Sequence, residues 1–398
     1  MSRKILLPIV LVLAALAPAT ARAYLPAGFV GVSPQSAASA SDFKLMREAG
    51  VESVRLPLYW SATQTHSPLS GPTDWSGFDR EVGLAAEAGI RIMPFVWGSP
   101  EWVAAEVIDL PVRTSWQRWG WTSFLREAAQ RYGPRGSFWE ENPELPFLPI
   151  HRWEIWNEQN IVTFADPVDP EAFATLIRIS GRVLHRVDPD AQVIVGGFFG
   201  RPLQVPPNAP SGGFLSRLYR ARDVKRYFDG VALHPYVARA QAMGAQIVNL
   251  RRIMRVHNDP TTPIYVTELG WGSDSGPTRW ERGLYGQANQ LSRSFAMLSA
   301  QRLRWRVGGV WWFTWTDEGG TCGFCHSAGL LTENRQAKPA WYRFNAWTGG
   351  DADIVPRARF SNGIQTGEEA AGEGQFEQGE TPLPAPAPTA PAPADRRR

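Results

Sequence analysis

The sequence predicts an α/β protein built as a (β/α)8 TIM barrel. Between Tyr24 and Gly350, eight short apolar runs alternate with eight helical stretches, and no Gly-rich phosphate-binding fingerprint accompanies them. Eight β-α units in about 325 residues suit a closed barrel better than a doubly wound open sheet, which usually has fewer strands. The first predicted strands are Phe29–Ser33, Ser53–Tyr59, Ile90–Val96 and Arg152–Trp156. Gln192–Phe198, Gly230–His234, Ile264–Glu268 and Val310–Trp315 complete the set. Each is short, apolar and largely β-branched or aromatic, as a strand buried on both faces should be. The helical stretches are Asp42–Glu48, Phe78–Ala88, Ser115–Arg131, Glu171–Val187, Phe214–Tyr227, Gln241–Val256, Arg282–Leu303 and Pro339–Trp347.

Composition narrows the range of functions. The formal charge of +3 on 398 residues, with no central Lys/Arg block, gives no electrostatic case for nucleic acid or an anionic membrane surface. The chain carries 18 tryptophans, many for its length. Large aromatics fill cores, and their flat faces also suit the C–H faces of sugar rings; abundance alone does not separate the two uses.

The two ends have their own character. Arg3 and Lys4, the apolar run Ile5–Ala17 and the small residues of Ala21-Arg22-Ala23 have the pattern of a signal peptide over residues 1–23. That implies export, and no membrane association after cleavage. The barrel is expected over residues 24–350. Residues 351–398, rich in Gly and Glu and then Pro-Ala, are expected to form a disordered tail. The only two cysteines, Cys322 and Cys325, lie among glycines. A zinc site needs about four ligands, and His326 is the one obvious addition nearby. In an exported chain a disulfide between them is the expectation. No cofactor or metal is expected, and a monomer is.

Barrel enzymes place their chemistry at the C-terminal ends of the strands. Glu158 follows Trp153-Glu154-Ile155-Trp156-Asn157 at the end of the fourth strand. Glu268 closes Ile264-Tyr265-Val266-Thr267 at the end of the seventh. Strands four and seven face each other across a closed barrel, so a carboxylate from each can flank one bond. Breaking a glycosidic bond needs such a pair, one carboxyl protonated and the other ionised. For a single glutamate, a buried ion pair or a helix cap is the ordinary explanation; two at facing strand ends weaken it.

Trp-Asn-Glu on strand four and Thr-Glu-Leu-Gly-Trp on strand seven resemble the retaining glycoside hydrolases of clan A, in a family 39-like or family 5-like pattern. The resemblance spans about Phe29 to Trp347. It implies that Glu158 is the acid/base, Glu268 the nucleophile, and Arg55 a hydrogen-bond donor to that nucleophile. His234-Pro235-Tyr236 resembles the clan's strand-six His-x-Tyr, whose tyrosine reaches the same carboxylate. Trp315 resembles the strand-eight tryptophan beneath the reacting sugar, with a cis peptide to Thr316. Asn157 is placed to bind a sugar hydroxyl. The chain departs from the pattern at Gln159, where many members have proline, and at Trp97–Trp102, where some have histidine.

Other residues carry weaker expectations. Trp97 and Trp271, with Trp60, are candidate aromatic platforms near strand ends, with core packing nearly as good an explanation. Glu154 is expected to pair inside the barrel, Glu101 to cap a helix or face solvent, and Asp317 and Glu318 to accept sugar hydroxyls or stay outside the site. The reaction expected is hydrolysis of an O-glycosidic bond in a carbohydrate. A transglycosylase, or a catalytically weak carbohydrate-binding barrel, is the alternative.

Overall fold

In the computed structural model, which describes residues 25–319 and 322–358, eight parallel strands close into a barrel in sequence order. They are β1 (Val30–Val32), β2 (Ser53–Tyr59), β3 (Arg91–Trp97), β4 (Arg152–Asn157), β5 (Gln192–Phe199), β6 (Gly230–His234), β7 (Ile264–Leu269) and β8 (Val307–Trp312). Closure is made by β1, which pairs with β8 through Val30–Val310 and with β2 through Val32–Val54. The expected signal segment lies outside the described residues, and no described helix is long and apolar enough to cross a membrane.

Side chains fill the barrel interior. Met93, Ile194, Ala232, Tyr265 and Trp311 form a buried cluster inside it. Trp311 fits because β1 carries glycine opposite: a Cβ at Gly31 would collide with the indole. Toward the C-terminal ends the interior becomes polar, where Arg55 from β2 meets Glu154 from β4.

The surrounding helices start where their sequences say they should. Ser39 caps Ala40–Glu48 in a reciprocal box with Asp42, and Thr114 does the same for Ser115–Tyr132 with Gln117. Asp169 caps Pro170–Val187, whose proline occupies a first-turn position that needs no amide hydrogen. The apolar face of that helix (Phe173, Leu176, Ile177, Leu184) is fully buried.

Three expectations needed correction. The eighth strand begins and ends three residues earlier than expected, because Leu284–Trp305 stops at Arg306 (φ 51°) and the strand starts at once. Gly308 and Gly309, poor strand formers, hid that start. The single helix expected over Phe214–Tyr227 is two pieces, Ser211–Arg220 and a short 3-10 turn Val224–Tyr227, broken at Asp223 (φ 58°).

The third concerns the tail. Residues 351–358 are part of the barrel domain: Trp341 Nε1 donates to Ala352 O at 2.8 Å. Ala337 N donates to Pro356 O at 2.8 Å, and Ala358 N returns a bond to Ala337 O at 3.0 Å. Ile354 and Val355 pack on the core. Only residues 359–398 of the expected tail lie outside the described residues. A chain stopped at Gly350 is therefore expected to melt a few degrees below one stopped at Ala358, since it leaves Trp341 and Ala337 without these partners. Equal melting temperatures would show that the strap is dispensable.

Candidate active site

The strand ends assemble one buried polar centre around Arg55. Its Nε and Nη2 each lie 2.9 Å from a different oxygen of Glu154, a bidentate pair. Its Nη1 donates to Glu268 Oε1 at 2.6 Å, and Nη2 also donates to Asn157 Oδ1 at 2.7 Å. The guanidinium stacks on Phe95, 4.0 Å from the ring centroid. Gly197 N supplies Glu154 with a further hydrogen bond at 2.8 Å. Glu154 thus pairs inside the barrel as expected, and Arg55 reaches the strand-seven glutamate as the resemblance implied. With Asn157 Oδ1 turned to Arg55, the amide nitrogen has no protein partner among the described residues and can donate to a bound molecule.

Glu158 reaches the same centre through an unusual turn. Trp156 (φ 72°) and Glu158 (φ 40°) both adopt left-handed backbone angles. For residues with a Cβ this costs of order 1 kcal/mol or more each, and it persists only where the surroundings fix it. Glu158 N donates to Gly197 O at 3.0 Å, and Trp156 Nε1 to Phe164 O at 2.7 Å. The result is that Glu158 Oε1 lies 2.7 Å from His234 Nδ1, whose ring also approaches Glu268 Oε2 at 3.5 Å. One oxygen of each glutamate and a ring nitrogen of His234 all lie within 4.8 Å of one another. Tyr236 donates its hydroxyl to Glu268 Oε2 at 2.7 Å.

Electrostatics separates the two glutamates. Burial and then the nearby charge of Glu268 push the Glu158 carboxyl well above the ordinary carboxylate range. Burial lifts Glu268 as well, and Arg55 and the Tyr236 hydroxyl hold part of that rise back. Burial, then the Arg55 charge, drive the His234 ring well below its usual range, so it is neutral. Three buried carboxyls share one guanidinium, so the centre binds a proton most readily at Glu158.

The open side of the centre is a cleft that includes Glu268, Arg55, Asn157, Tyr59, Phe95, Trp97, Phe164 and Phe313. Trp97 is the one aromatic platform candidate that lines it. Trp271 is fully buried, donates to Val237 O at 2.7 Å and leans on Trp312, so it is core. Trp60 is likewise enclosed, bonded to Gln64 and packed on Phe124. Trp315 is also a correction. It lies edge-on to Trp341 and donates to Asp42 Oδ1 at 3.3 Å, away from the cleft. Phe313 takes the place expected for it, and the cis peptide falls at Phe313–Thr314. His234 does not line the cleft; it is wholly buried and serves Glu158. Glu101 is exposed, while Asp317 is committed to Lys338 at 2.7 Å and Glu318 to Thr316 at 2.5 Å.

Cys322 and Cys325 are joined by a disulfide. Between them Phe324 packs on Tyr236, with ring centroids 5.4 Å apart, so this loop forms a wall behind the tyrosine that bonds Glu268. Replacing both cysteines with serine is expected to loosen the loop while leaving the melting temperature nearly unchanged, because the closed ring is short. Hydrogen exchange checks this; a large fall in melting temperature would contradict it.

No family model and no curated protein matches the chain at the sequence level. Solved structures do match. A family 39 glycoside hydrolase from the gut symbiont Bacteroides cellulosilyticus WH2 superposes with a TM-score of 0.61 at 21% identity, over 80% of this chain and 63% of that one. A monomeric beta-xylosidase from Caulobacter crescentus CB15 gives 0.55 at 17%, over 80% and 67%. A GH5_18 protein from Streptomyces cattleya, in complex with Manb1-4GlcNAc, gives 0.60 at 17%, over 83% and 82%. The shared property is the (β/α)8 barrel. The chain spans about two thirds of the length of the family 39 structures it resembles.

Proposed function

We propose that this protein is a retaining glycoside hydrolase of clan A, cleaving O-glycosidic bonds with Glu158 as acid/base and Glu268 as nucleophile. The observation that carries the reading is the pair of carboxyls at the ends of β4 and β7, one oxygen of each lying within 4.8 Å of the other. Retaining enzymes hold their two carboxyls about 5–5.5 Å apart, whereas inverting ones need about 6.5–9.5 Å to admit a water. The likeness to family 39 and GH5_18 barrels supports the same reading.

The chemistry follows from the charges. In the first step the Glu268 carboxylate attacks the anomeric carbon, the glycosidic C–O bond breaks, and the Glu158 proton passes to the leaving oxygen. In the second, water gives a proton to Glu158 and its oxygen attacks the anomeric carbon, releasing Glu268. Arg55 and Tyr236 hold Glu268 in place and favour its ionised form. His234, neutral and buried, orients Glu158. Asn157 offers its amide to a sugar hydroxyl, a bond that strengthens as positive charge grows on the ring.

The substrate is a carbohydrate. Because one structural neighbour is named a beta-xylosidase, aryl β-xylosides lead the panel of aryl β-glycosides on which activity is tested. Hydrolysis of any member that disappears in Glu268→Ala supports the proposal; no turnover across the panel and across plant and bacterial polysaccharides would count against it. The signal-like pattern of residues 1–23 supports action outside the cytoplasm, with a mature chain beginning at Tyr24.

The pH dependence is part of the proposal. Activity needs Glu268 ionised and Glu158 protonated, so it falls on the acid side as Glu268 gains a proton and on the alkaline side as Glu158 loses one. Burial raises both groups, so the whole active window is expected to sit above the ordinary carboxylate range. A kcat/KM profile that is already declining at pH 5 would contradict this.

A further inference from the structure

The loops that leave β7 and β8 bring together a second set of titratable groups, away from the catalytic centre: Asp274, Glu281 and His326. His326 Nε2 lies 3.1 Å from Asp274 Oδ2 and 3.6 Å from Glu281 Oε1. One ligand atom from each residue falls within 4.8 Å of the others. We propose that this cluster binds a divalent transition-metal ion of the zinc type, which clasps the two loops together.

Spacing is the first argument. A tetrahedral zinc ion with bonds of about 2.0–2.2 Å places its ligand atoms about 3.3–3.6 Å apart. The two distances to the imidazole nitrogen lie close to that interval. Donor type is the second. One imidazole with two carboxylates suits zinc and its neighbours, whereas calcium and magnesium prefer six or more oxygens.

Charge is the third and independent argument. The Glu281 side chain is only 1% exposed, and among the described residues no lysine or arginine forms an ion pair with it. The neighbouring Lys338 is committed to Asp317 and to Ser327 O, at 2.7 and 2.9 Å. A buried carboxylate beside a second carboxylate lacks a positive charge, and a bound cation supplies it.

The surroundings are built to hold these ligands. Ser327 Oγ donates to the Glu281 carboxylate at 3.0 Å, and Asp274 N donates to Glu281 Oε2 at 3.0 Å; such bonds orient a ligating carboxylate. Gly283 N bonds Asp274 O at 2.8 Å, which folds the loop after β7 back on itself, and Ser273 N bonds Ser327 O at 2.9 Å, which ties that loop to the one after β8. Cys322 and Cys325, immediately before His326, are oxidised and so offer no thiolate. Asp274 and His326 are both about half exposed, which leaves water free to complete the coordination. Phe324, two residues before His326, packs on Tyr236 and Phe313, so the clasp braces the wall of the catalytic cleft.

The test uses the full chain, free of any purification tag, dialysed against EDTA and kept non-reducing. Titration with zinc chloride is followed by calorimetry and by thermal unfolding. We expect one equivalent bound and a raised melting temperature. In His326→Ala the affinity should fall at least about 10-fold and the thermal shift should vanish, with the zinc-free melting temperature unchanged because the ring is half exposed. Calcium chloride at the same concentration should give no shift. Failure to bind zinc, equal binding by His326→Ala, or an equal shift with calcium would overturn the proposal.

Discussion

Replacing Glu268 or Glu158 with alanine is expected to lower turnover of a β-linked substrate by several orders of magnitude, and the two losses should differ in how they are rescued. Without Glu268 the nucleophile is gone, and azide can enter the space it vacates beside Arg55 and Tyr236. Azide then attacks the anomeric carbon directly from that face and yields an α-glycosyl azide. Without Glu158 the first step still proceeds on substrates with good leaving groups, since these need no proton. The glycosyl-enzyme on Glu268 then accumulates, because water has lost its base. Azide needs none, and attack on that intermediate gives a β-glycosyl azide. The alkaline limb of the pH profile should also vanish in Glu158→Ala, since the proton it reports is no longer there. Near-normal activity in either variant would remove that residue from its role, and exchanged azide products would exchange the two assignments.

The second large effect is expected at Arg55. Among the described residues its guanidinium is the one cation beside three buried carboxyls, and it holds Glu154, Glu268 and Asn157 through four hydrogen bonds. Arg55→Met keeps much of the side-chain volume over Phe95 and removes the charge. Breaking a buried ion pair from one side costs about 3–5 kcal/mol, because the partners stay behind uncompensated. An arginine beside a carboxyl lowers its pKa by about 1–3 units, so losing it should move the acid limb of kcat/KM upward by a comparable amount. Arg55→Met/Glu154→Gln removes one stranded charge and should recover part of the stability but little of the rate. That split separates a folding role at Glu154 from an electrostatic role at Glu268. An unchanged acid limb in the single variant would show that Arg55 does not hold Glu268 ionised.

Much of this architecture was legible in the amino-acid order. Runs such as Ser53–Tyr59 and Ile264–Leu269 announced strands because their burial on both faces leaves few polar residues. The strand-end rule then located Glu158, Glu268, Arg55, Asn157 and Tyr236, all of which the fold brings together. Tyr59, the last residue of β2, could have been found by the same rule. The rest depended on tertiary contact. The bond between His234 and Glu158 joins residues 76 apart in sequence, and no local pattern shows it. Phe164 enters the cleft from a loop with no periodicity at all. The tryptophans misled for a physical reason: an indole at a strand end can face the mouth or the surrounding helices, and one residue of offset decides which. Because β8 ends at Trp312, Phe313 falls on the cleft side and Trp315 turns outward to Asp42. The Asp274–Glu281–His326 cluster was hidden in the same way, since its members come from two loops that meet only in the folded chain.

The central claim is that two nearby carboxyls perform a double displacement. Its most direct test is the configuration of the product at the moment it forms, followed by proton NMR of the anomeric signal during hydrolysis of an aryl β-glycoside. Two inversions at one carbon give net retention, so the β-anomer of the free sugar should appear first and the α-anomer only later, by mutarotation. Initial appearance of the α-anomer would mean a single displacement by water, and would contradict the assignment of Glu268 as a nucleophile.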